Sequence, residues 1–406
     1  MKIIVLKFGG TSVGTLKKIA KVAKIIISYI NKKYKVIVVS SAMSGVTNQL
    51  LLKTKKISKN FPNDEKDVIL STGEQISCAL IAGKLNELGF KSRSWLGWQL
   101  PILTKGNHCA SRIFKIKKNK LLSYLKSGGI PIVTGFQGVN SDFRITTLER
   151  GGSDTSAILC AKFFKAKKCI IYTDVEGVFT TDPNLTNAAK KIDKISYEEM
   201  LEMASLGAKV MQPTSIQEAR LNRIEIDVRS TFSKRTGTTI TRKKNIYGKN
   251  TIRGISFTRN DSKLTLIGIK DKPGVAASIF KPLYESSINV DMVVQNISAD
   301  SRETDLTFTT KLEDLTKTRR LLENNKSIKF KKLVINKNVS KVSIVGVGMI
   351  TTPGITYRMF KALAKEKINI EVISTSEIKI SVLINKKNLK KSVEILHEEF
   401  KLSNNL

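Results

Sequence analysis

The chain has 406 residues, 41% of them hydrophobic and 26% charged, enough for two or three domains with substantial cores. It carries 70 lysines and arginines against 34 acidic residues, a formal net charge of +36, which would ordinarily raise nucleic acid or an anionic membrane as partner. The basic clusters lack interleaved aromatic residues for stacking bases: Lys115, Lys117, Lys118 and Lys120; Arg242, Lys243 and Lys244; Lys329, Lys331 and Lys332. The expectation is solvated basic faces, with neither nucleic acid nor membrane as partner. Apolar runs such as Ile25–Ile27 are quickly interrupted, and no export signal or membrane span is read. Cys78, Cys109, Cys160 and Cys169 stand far apart with no C-x-x-C pair, which argues against a disulfide framework or zinc site and suits a reducing cytoplasm.

In chain order, residues 2–8 (KIIVLKF) read as a buried strand. Leu16, Ile19, Ala20, Ala23, Ile26, Ile27 and Ile30 then fall on one helical face, and residues 35–40 (KVIVVS) read as a second strand. Strand, helix, strand in about 40 residues is a parallel α/β unit. The alternation continues with a long helix around 66–88, a strand at 130–134, a helix from about 154, a strand at 168–173, a helix near 196–206 and a strand at 225–229. This predicts one α/β domain over residues 1–235. A polar, basic stretch follows, read as a linker over 236–263 that holds a possible additional strand.

Beyond it lies an internal repeat. PGVAASIFKPLYESSINVDMV (273–293) aligns without gaps on PGITYRMFKALAKEKINIEVI (353–373), and Pro273, Gly274, Phe280, Lys281, Leu283, Ile288 and Asn289 recur identically. Each copy is flanked by strand-like runs, so two ferredoxin-like β-α-β-β-α-β modules are expected, over 264–337 and 338–406. Such modules more often bind an effector than serve as scaffold alone. Pro282 falls inside the first module's helix and should kink or shorten it, at a cost of roughly 3 kcal/mol.

Several segments carry possible chemistry. Lys7-Phe8-Gly9-Gly10-Thr11-Ser12 sits between a strand and a helix, where backbone N–H groups, a helix N-terminus and a lysine can meet phosphate. It also reads as a plain tight turn. It is not a Walker A loop, and Gly346-x-Gly348 lacks the third glycine of a dinucleotide fingerprint. The turn Ser40–Thr47 offers small residues and hydroxyls for phosphate or substrate, or a helix cap at Ser44 or Thr47. Glu74 in Ser71-Thr72-Gly73-Glu74 reads equally as a capping box and as a buried partner for an ammonium group. In Glu149-Arg150-Gly151-Gly152-Ser153-Asp154 a guanidinium can clamp a carboxylate beside backbone donors, or Asp154 can simply cap a helix. The run Tyr172–Pro183 leaves a strand for a polar loop of the kind that binds nucleotides in open α/β sheets, or for a surface turn. Only His108 and His397 exist, so a histidine triad or metal cluster is not expected. Phosphorylation of a carboxylate needs no general base, because that nucleophile is already ionised at neutral pH.

KFGGTS, SSAMSGVT, STGEQ, RGGSDTSA, YTDVEGVFTTDP and GAKVMQP, in this order and followed by paired KPG and TPG modules, resemble the aspartate kinases from residue 1 to 406. The resemblance implies an amino-acid-kinase fold, an open-sheet α/β sandwich, followed by tandem ACT domains of intertwined topology. It implies ATP as phosphoryl donor with Mg2+ carried by the nucleotide, and production of 4-phospho-L-aspartate on the route to lysine, threonine and methionine under feedback control. Carried over by position, Lys7 stabilises the transferring phosphoryl group, Gly9, Gly10 and Ser41 meet the phosphates, and Asp154 orients the reacting groups. Thr47, Glu74, Arg150, Gly151, Gly152 and Ser153 hold L-aspartate, with Glu74 on its ammonium and Arg150 on a carboxylate. Thr173, Asp174, Phe179, Asp182 and Lys209 line the nucleotide site. Asp271, Ala276, Asn289, Val290, Gln295, Asn296, Asn369 and Ile370 match positions that bind inhibitory lysine or threonine. A homo-oligomer is implied, at least a dimer through the ACT modules.

Three positions depart from the family pattern: Glu149 where glycine is usual, Gln212 in place of histidine before Pro213, and Pro282. An acidic Glu149 would weaken phosphate or carboxylate binding unless it points away. Two rival readings are another kinase of the same fold family and a catalytically dead amino-acid-binding regulator. The tandem modules and the KFGGTS form disfavour the first. The joint presence of Lys7, Glu74, Arg150 and Asp154 disfavours the second.

Overall fold

The computed structural model describes residues 2–149, 151–205, 210–242, 251–297, 303–325 and 328–403. They divide into two units. Of the described residues, the first comprises those within 2–178, 191–205 and 210–242, and the second those within 179–190 and 251–403. Among the described residues no helix is long and apolar enough to cross a membrane.

In the first unit the elements run β1 (Ile3–Phe8), α1 (Leu16–Asn31), β2 (Lys35–Ser40), α2 (Val46–Ile57), α3 (Asn63–Glu87), β3 (Ser92–Trp95), β4 (Ile102–Lys105), β5 (Arg112–Ile116), α4 (Asn119–Lys126), β6 (Ile130–Thr134), β7 (Gln137–Val139) and β8 (Ile145–Thr147). They continue with α5 (Gly152–Phe163), β9 (Cys169–Thr173), β10 (Lys194–Ser196), α6 (Tyr197–Ser205), α7 (Pro213–Asn222), β11 (Ile226–Ser230) and β12 (Thr238–Thr241). Every residue of β1 is buried, as expected for a strand covered on both faces. Its pleat therefore decides which layer each side chain serves. Ile4, Leu6 and Phe8 enter the cluster built on Ile19, Val22, Ala23 and Ile26 of α1 and on Cys78, Ile81 and Leu85 of α3. Lys7 faces the other way, toward α5. The resulting eight-stranded sheet has the order β10-β12-β11-β9-β1-β2-β6-β3, with β1 parallel to both β2 and β9. A smaller sheet has the order β5-β4-β7-β8.

The stretch read as a linker holds β12, which joins the large sheet against β10 and β11, and the start of β13 (Gly254–Lys270). The second unit continues with α8 (Val275–Glu285), β14 (Val290–Ile297), β15 (Glu303–Lys311), α9 (Leu315–Glu323), β16 (Lys332–Val345), α10 (Ile355–Lys365), β17 (Ile370–Thr375), β18 (Lys379–Asn385) and α11 (Leu389–Glu399). One six-stranded sheet, β14-β15-β13-β16-β18-β17, serves both modules. Residues 261–270 of β13 pair with β15 in the first module, while Gly254–Thr258 pair with residues 341–345 of β16 in the second. The second module therefore borrows its fourth strand from chain that precedes the first, which is the intertwined topology. Separate cores fill the modules, one around Leu264, Ile279, Leu283 and Phe308 and the other around Ile344, Met359, Leu363 and Val382.

Pro282 does not shorten its helix. α8 and α10 each span 11 residues, and the Pro282 carbonyl still accepts from Ser286 N at 3.2 Å. The proline sits three residues before the helix end, where a single lost N–H is the only backbone bond at stake.

Candidate active site

The turn after β1 is held by its own backbone. Gly9 N donates to the Tyr172 carbonyl at 3.0 Å, Ser12 N to the Gly9 carbonyl at 2.9 Å, and Ser44 N to the Gly10 carbonyl at 3.1 Å. A Cβ on Gly10 would lie 2.8 Å from the Ala42 carbonyl oxygen. Glycine there lets the turns after β1 and β2 close on each other. Directly before it, Lys7 Nζ lies 2.6 Å from Asp154 Oδ1, both side chains being about 10% exposed. An ion pair this enclosed is held by its surroundings and is ready to be reorganised by a polyanion.

Asp154 is not the cap of its helix. Gly151, at φ 79°, is the N-cap of α5, and Asp154 lies in the first turn, its N–H bonded to the Gly151 carbonyl at 2.9 Å. Its carboxylate is thereby free for Lys7. Gly152 and Ser153 are the first residues of α5, and Ser153 is buried against Gly135. Arg150 and Lys209 lie outside the described residues.

Glu74 is not a capping residue either. α3 begins at Asn63, so Ser71 and Glu74 are both mid-helix, and Ser71 Oγ bonds the Val68 carbonyl instead. Glu74 is 3% exposed. Its Oε1 accepts from Ala42 N at 3.0 Å, while Oε2 is buried with no partner among the described residues. Burial raises its pKa from 4.5 to about 7, against the opposing pull of the Ala42 N–H. A buried carboxylate with an unused oxygen suits an incoming ammonium group. Gly73 stands where a Cβ would press on the Ala42 side chain at 2.8 Å, which fixes Glu74 against that turn.

The turn after β2 leads straight into α2, a helix the sequence reading did not separate from the turn. Its N-cap is Gly45 at φ 86°, with no side-chain cap, so neither Ser44 nor Thr47 caps it. Ser41 N bonds the Phe8 carbonyl at 3.1 Å, and the Ser41 carbonyl accepts from Ser77 Oγ. Thr173 ends β9, and its hydroxyl donates to Asp174 Oδ1 at 3.0 Å. Phe179 and Asp182 belong to the second unit. There Thr180 bonds His397 Nε2 at 2.9 Å, Asp182 caps the turn at Asn184, and Leu185 enters the second module's core.

Among the effector positions, Val290, Gln295 and Asn296 lie on β14 and Ile370 on β17. Asn289 and Asn369 immediately precede these strands, Asp271 follows β13, and Ala276 is in the first turn of α8. β14 and β17 are the two edges of the six-stranded sheet, yet Met292 and Val372 share one small core.

Comparison with known proteins shows the family. The Amino acid kinase family model matches residues 2–230, and the ACT domain model matches 264–325 and 342–400. The chain is 46% identical to an aspartate kinase of Pseudomonas fluorescens over 99% of its length and 98% of that protein's. The chain belongs to the aspartate kinases. It is also 41% identical to aspartokinase 2 of Bacillus subtilis, over 99% of this chain and 98% of that one. Among solved structures it resembles E. coli aspartokinase III in complex with aspartate and ADP, at 26% identity and a TM-score of 0.81, covering 98% of this chain and 99% of that one.

Two family departures are explained locally in this aspartate kinase. Glu149 is exposed, and its backbone carbonyl accepts from Gly152 N. Gln212 precedes α7, and its aliphatic stem fills the space a Cβ on Gly151 would need, so this side chain and that glycine fit one another. Sequence reasoning missed Gln137, which is fully buried with Oε1 unpartnered among the described residues, and Asp67, fully buried beneath His108. The signal for Asp67 was an acidic residue on the apolar face of α3. For Gln137 there was none beyond its place between Gly135 and Gly138.

Proposed function

We propose that this aspartate kinase transfers the γ-phosphoryl group of ATP to the side-chain carboxylate of L-aspartate through the site formed by Lys7, Asp154 and Glu74. The single observation that carries this reading is the buried, half-satisfied Glu74 carboxylate on the same unit as the enclosed Lys7–Asp154 pair. One offers an acceptor for an amino acid's ammonium, and the other a cation for a transferring phosphoryl group.

Glu74 Oε2 accepts the substrate ammonium, with Thr47 and the turn of Arg150, Gly151, Gly152 and Ser153 holding its carboxylates. A side-chain carboxylate oxygen attacks the γ-phosphorus as the bond to the ADP oxygen breaks, giving ADP and an acyl phosphate. The nucleophile arrives ionised, so no proton has to move. Lys7 neutralises charge on the phosphoryl oxygens, and Asp154 holds the ammonium of Lys7 in place until the nucleotide arrives. Gly9, Gly10 and Ser41 line the place of the phosphates, where the absence of a Cβ at the two glycines lets a polyanion approach the backbone. Thr173, Asp174 and Lys209 serve the nucleotide, which carries its own Mg2+. Lysine or threonine binds along β14 and β17 as a feedback effector, and the ACT modules pair between chains. The crystal structure of E. coli aspartokinase III in complex with lysine and aspartate, at 25% identity and a TM-score of 0.80, supports an amino-acid effector for this architecture.

The test is aspartate-dependent ADP release by the wild type, Lys7→Met and Asp154→Asn. Turnover by the wild type with loss of about three orders of magnitude in Lys7→Met is expected. Near-normal turnover by a folded Lys7→Met enzyme would overturn the assignment.

A further inference from the structure

Asp67, Ser71 and Glu74 lie on one face of α3, spaced four and three residues apart. The first two are tied to the β7–β8 hairpin. Asp67 is fully buried. Its Oδ1 accepts from Thr147 Oγ1 at 2.5 Å, and its carboxylate also takes His108 Nδ1 at 2.6 Å and Cys109 N at 3.1 Å. One turn further along α3, the Ser71 carbonyl accepts from Gln137 Nε2 at 2.9 Å. Gln137 and Thr147 are themselves paired across the hairpin. The third position is Glu74, the acceptor assigned to the substrate ammonium. Immediately after Thr147 the chain passes through Leu148 and Glu149 into the turn capped by Gly151.

The two ends of the aspartate site therefore hang on one frame. Glu74 is fixed to α3, the carboxylate-holding turn is fixed to the end of β8, and two buried polar ties one helical turn apart set the register between them. Buried hydrogen bonds hold a narrower geometry than apolar contacts, so they resist sliding where apolar packing would yield. The difference they must enforce is small. Aspartate and glutamate differ by one methylene, at most about 1.5 Å of reach, well below the roughly 5.4 Å pitch of a helix.

We propose that the Asp67–Thr147 and Ser71–Gln137 ties act as a ruler between Glu74 and the turn of Gly151, Gly152 and Ser153, making Asp67, Thr147 and Gln137 positioning residues that select aspartate over glutamate. The inference rests on the reading of Glu74 and that turn as the two ends of the substrate site. His108 has a part in it that sequence analysis did not give it. It completes the Asp67 carboxylate and so stiffens the first tie.

The decisive variants are Thr147→Val, which keeps shape and deletes the hydroxyl, and Thr147→Ser, which restores it. The full-length enzyme is assayed with aspartate and glutamate under saturating Mg-ATP, with KM for ATP and thermal unfolding followed in parallel. One methylene is ordinarily worth about 10- to 200-fold in discrimination. Thr147→Val is expected to raise KM for aspartate and shrink the aspartate-to-glutamate ratio of kcat/KM by about tenfold, with KM for ATP unchanged. Thr147→Ser returns both values to those of the wild type. Gln137→Leu shifts the ratio in the same direction. If turnover is too low to compare, calorimetric Kd values for the two amino acids give the same ratio. An unchanged ratio in Thr147→Val, whatever happens to KM or Tm, refutes the ruler and leaves a structural contact only. A wild type that turns over no aspartate refutes the underlying site reading instead, so the two failures are distinct.

Discussion

Replacing Glu74 by glutamine separates binding from stability in opposite directions. In the folded protein burial raises the Glu74 pKa from 4.5 to about 7. A group whose folded pKa lies above its unfolded value contributes stability that is fully present below pH 4.5 and lost as pH rises through about 7. Above that pH the ionised side chain is held at a cost of up to about 3 kcal/mol, from about 1.4 kcal/mol per pKa unit. Glu74→Gln removes the charge and keeps an oxygen for the Ala42 N–H. Without substrate the variant should therefore unfold at higher temperature than the wild type at pH 8, and the difference should vanish near pH 5. Function moves the other way. Loss of a charge-assisted bond to the ammonium costs about 1.5–3 kcal/mol, roughly 10- to 150-fold in kcat/KM for aspartate. The wild-type kcat/KM for aspartate should also climb through a limb near pH 7 that Glu74→Gln lacks. Scanning calorimetry at the two pH values, with a pH–rate profile for each protein, checks both halves. A variant that is less stable at pH 8 and retains the limb would refute the reasoning.

Lys7→Met leaves the Asp154 carboxylate enclosed without its cation, a loss of about 3–5 kcal/mol; adding Asp154→Asn should recover most of the Tm with no recovery of turnover. Gly10→Ala places a methyl 2.8 Å from a backbone oxygen, and should lower stability by about 1–3 kcal/mol and raise KM for ATP, read by denaturant melts and steady-state kinetics. The repeat also sets Asp291 in register with Glu371. The ion pairs cross between modules, Lys263 to Glu371 at 2.6 Å and Lys341 to Asp291. A double-mutant cycle on Lys263→Met and Glu371→Gln should show coupling of about 1 kcal/mol or more in thermal unfolding, whereas additive losses would mean the pair does not join the modules.

Elements with a strong local signature were readable from the chain. β1 and β2 carry the apolar runs Ile3–Leu6 and Val36–Val39, and the face of α1 follows a helical period, so these elements were placed within a residue or two. The duplicated PG segments likewise announced two similar modules. Features that depend on distant partners were not readable. Ser71-x-x-Glu74 has the form of a capping box, but nothing local says that α3 already began at Asn63, and only that fact puts Glu74 in a buried mid-helix position. α2 was hidden because its start is a left-handed glycine, Gly45, rather than a capping side chain. The sharing of β13 between modules follows from pairing with β16 some 80 residues later, which neither strand's composition encodes. The same holds for His108. Its bond to Asp67 spans 41 positions, and a lone histidine beside a cysteine carries no mark of it. The segment 179–190 shows the limit most clearly. It reads as a loop between strands of the first domain, yet Leu185 and Thr180 pack with the second module.

The central claim is that this chain makes an acyl phosphate from aspartate. The direct measurement is Mg-ATP-dependent hydroxamate formation in the presence of hydroxylamine, with aspartate, glutamate and N-acetylglutamate side by side. Aspartate should give product most readily, with glutamate lower by about one to two orders of magnitude. Product from another acid but not from aspartate, or from none of them by a folded protein, would contradict the account.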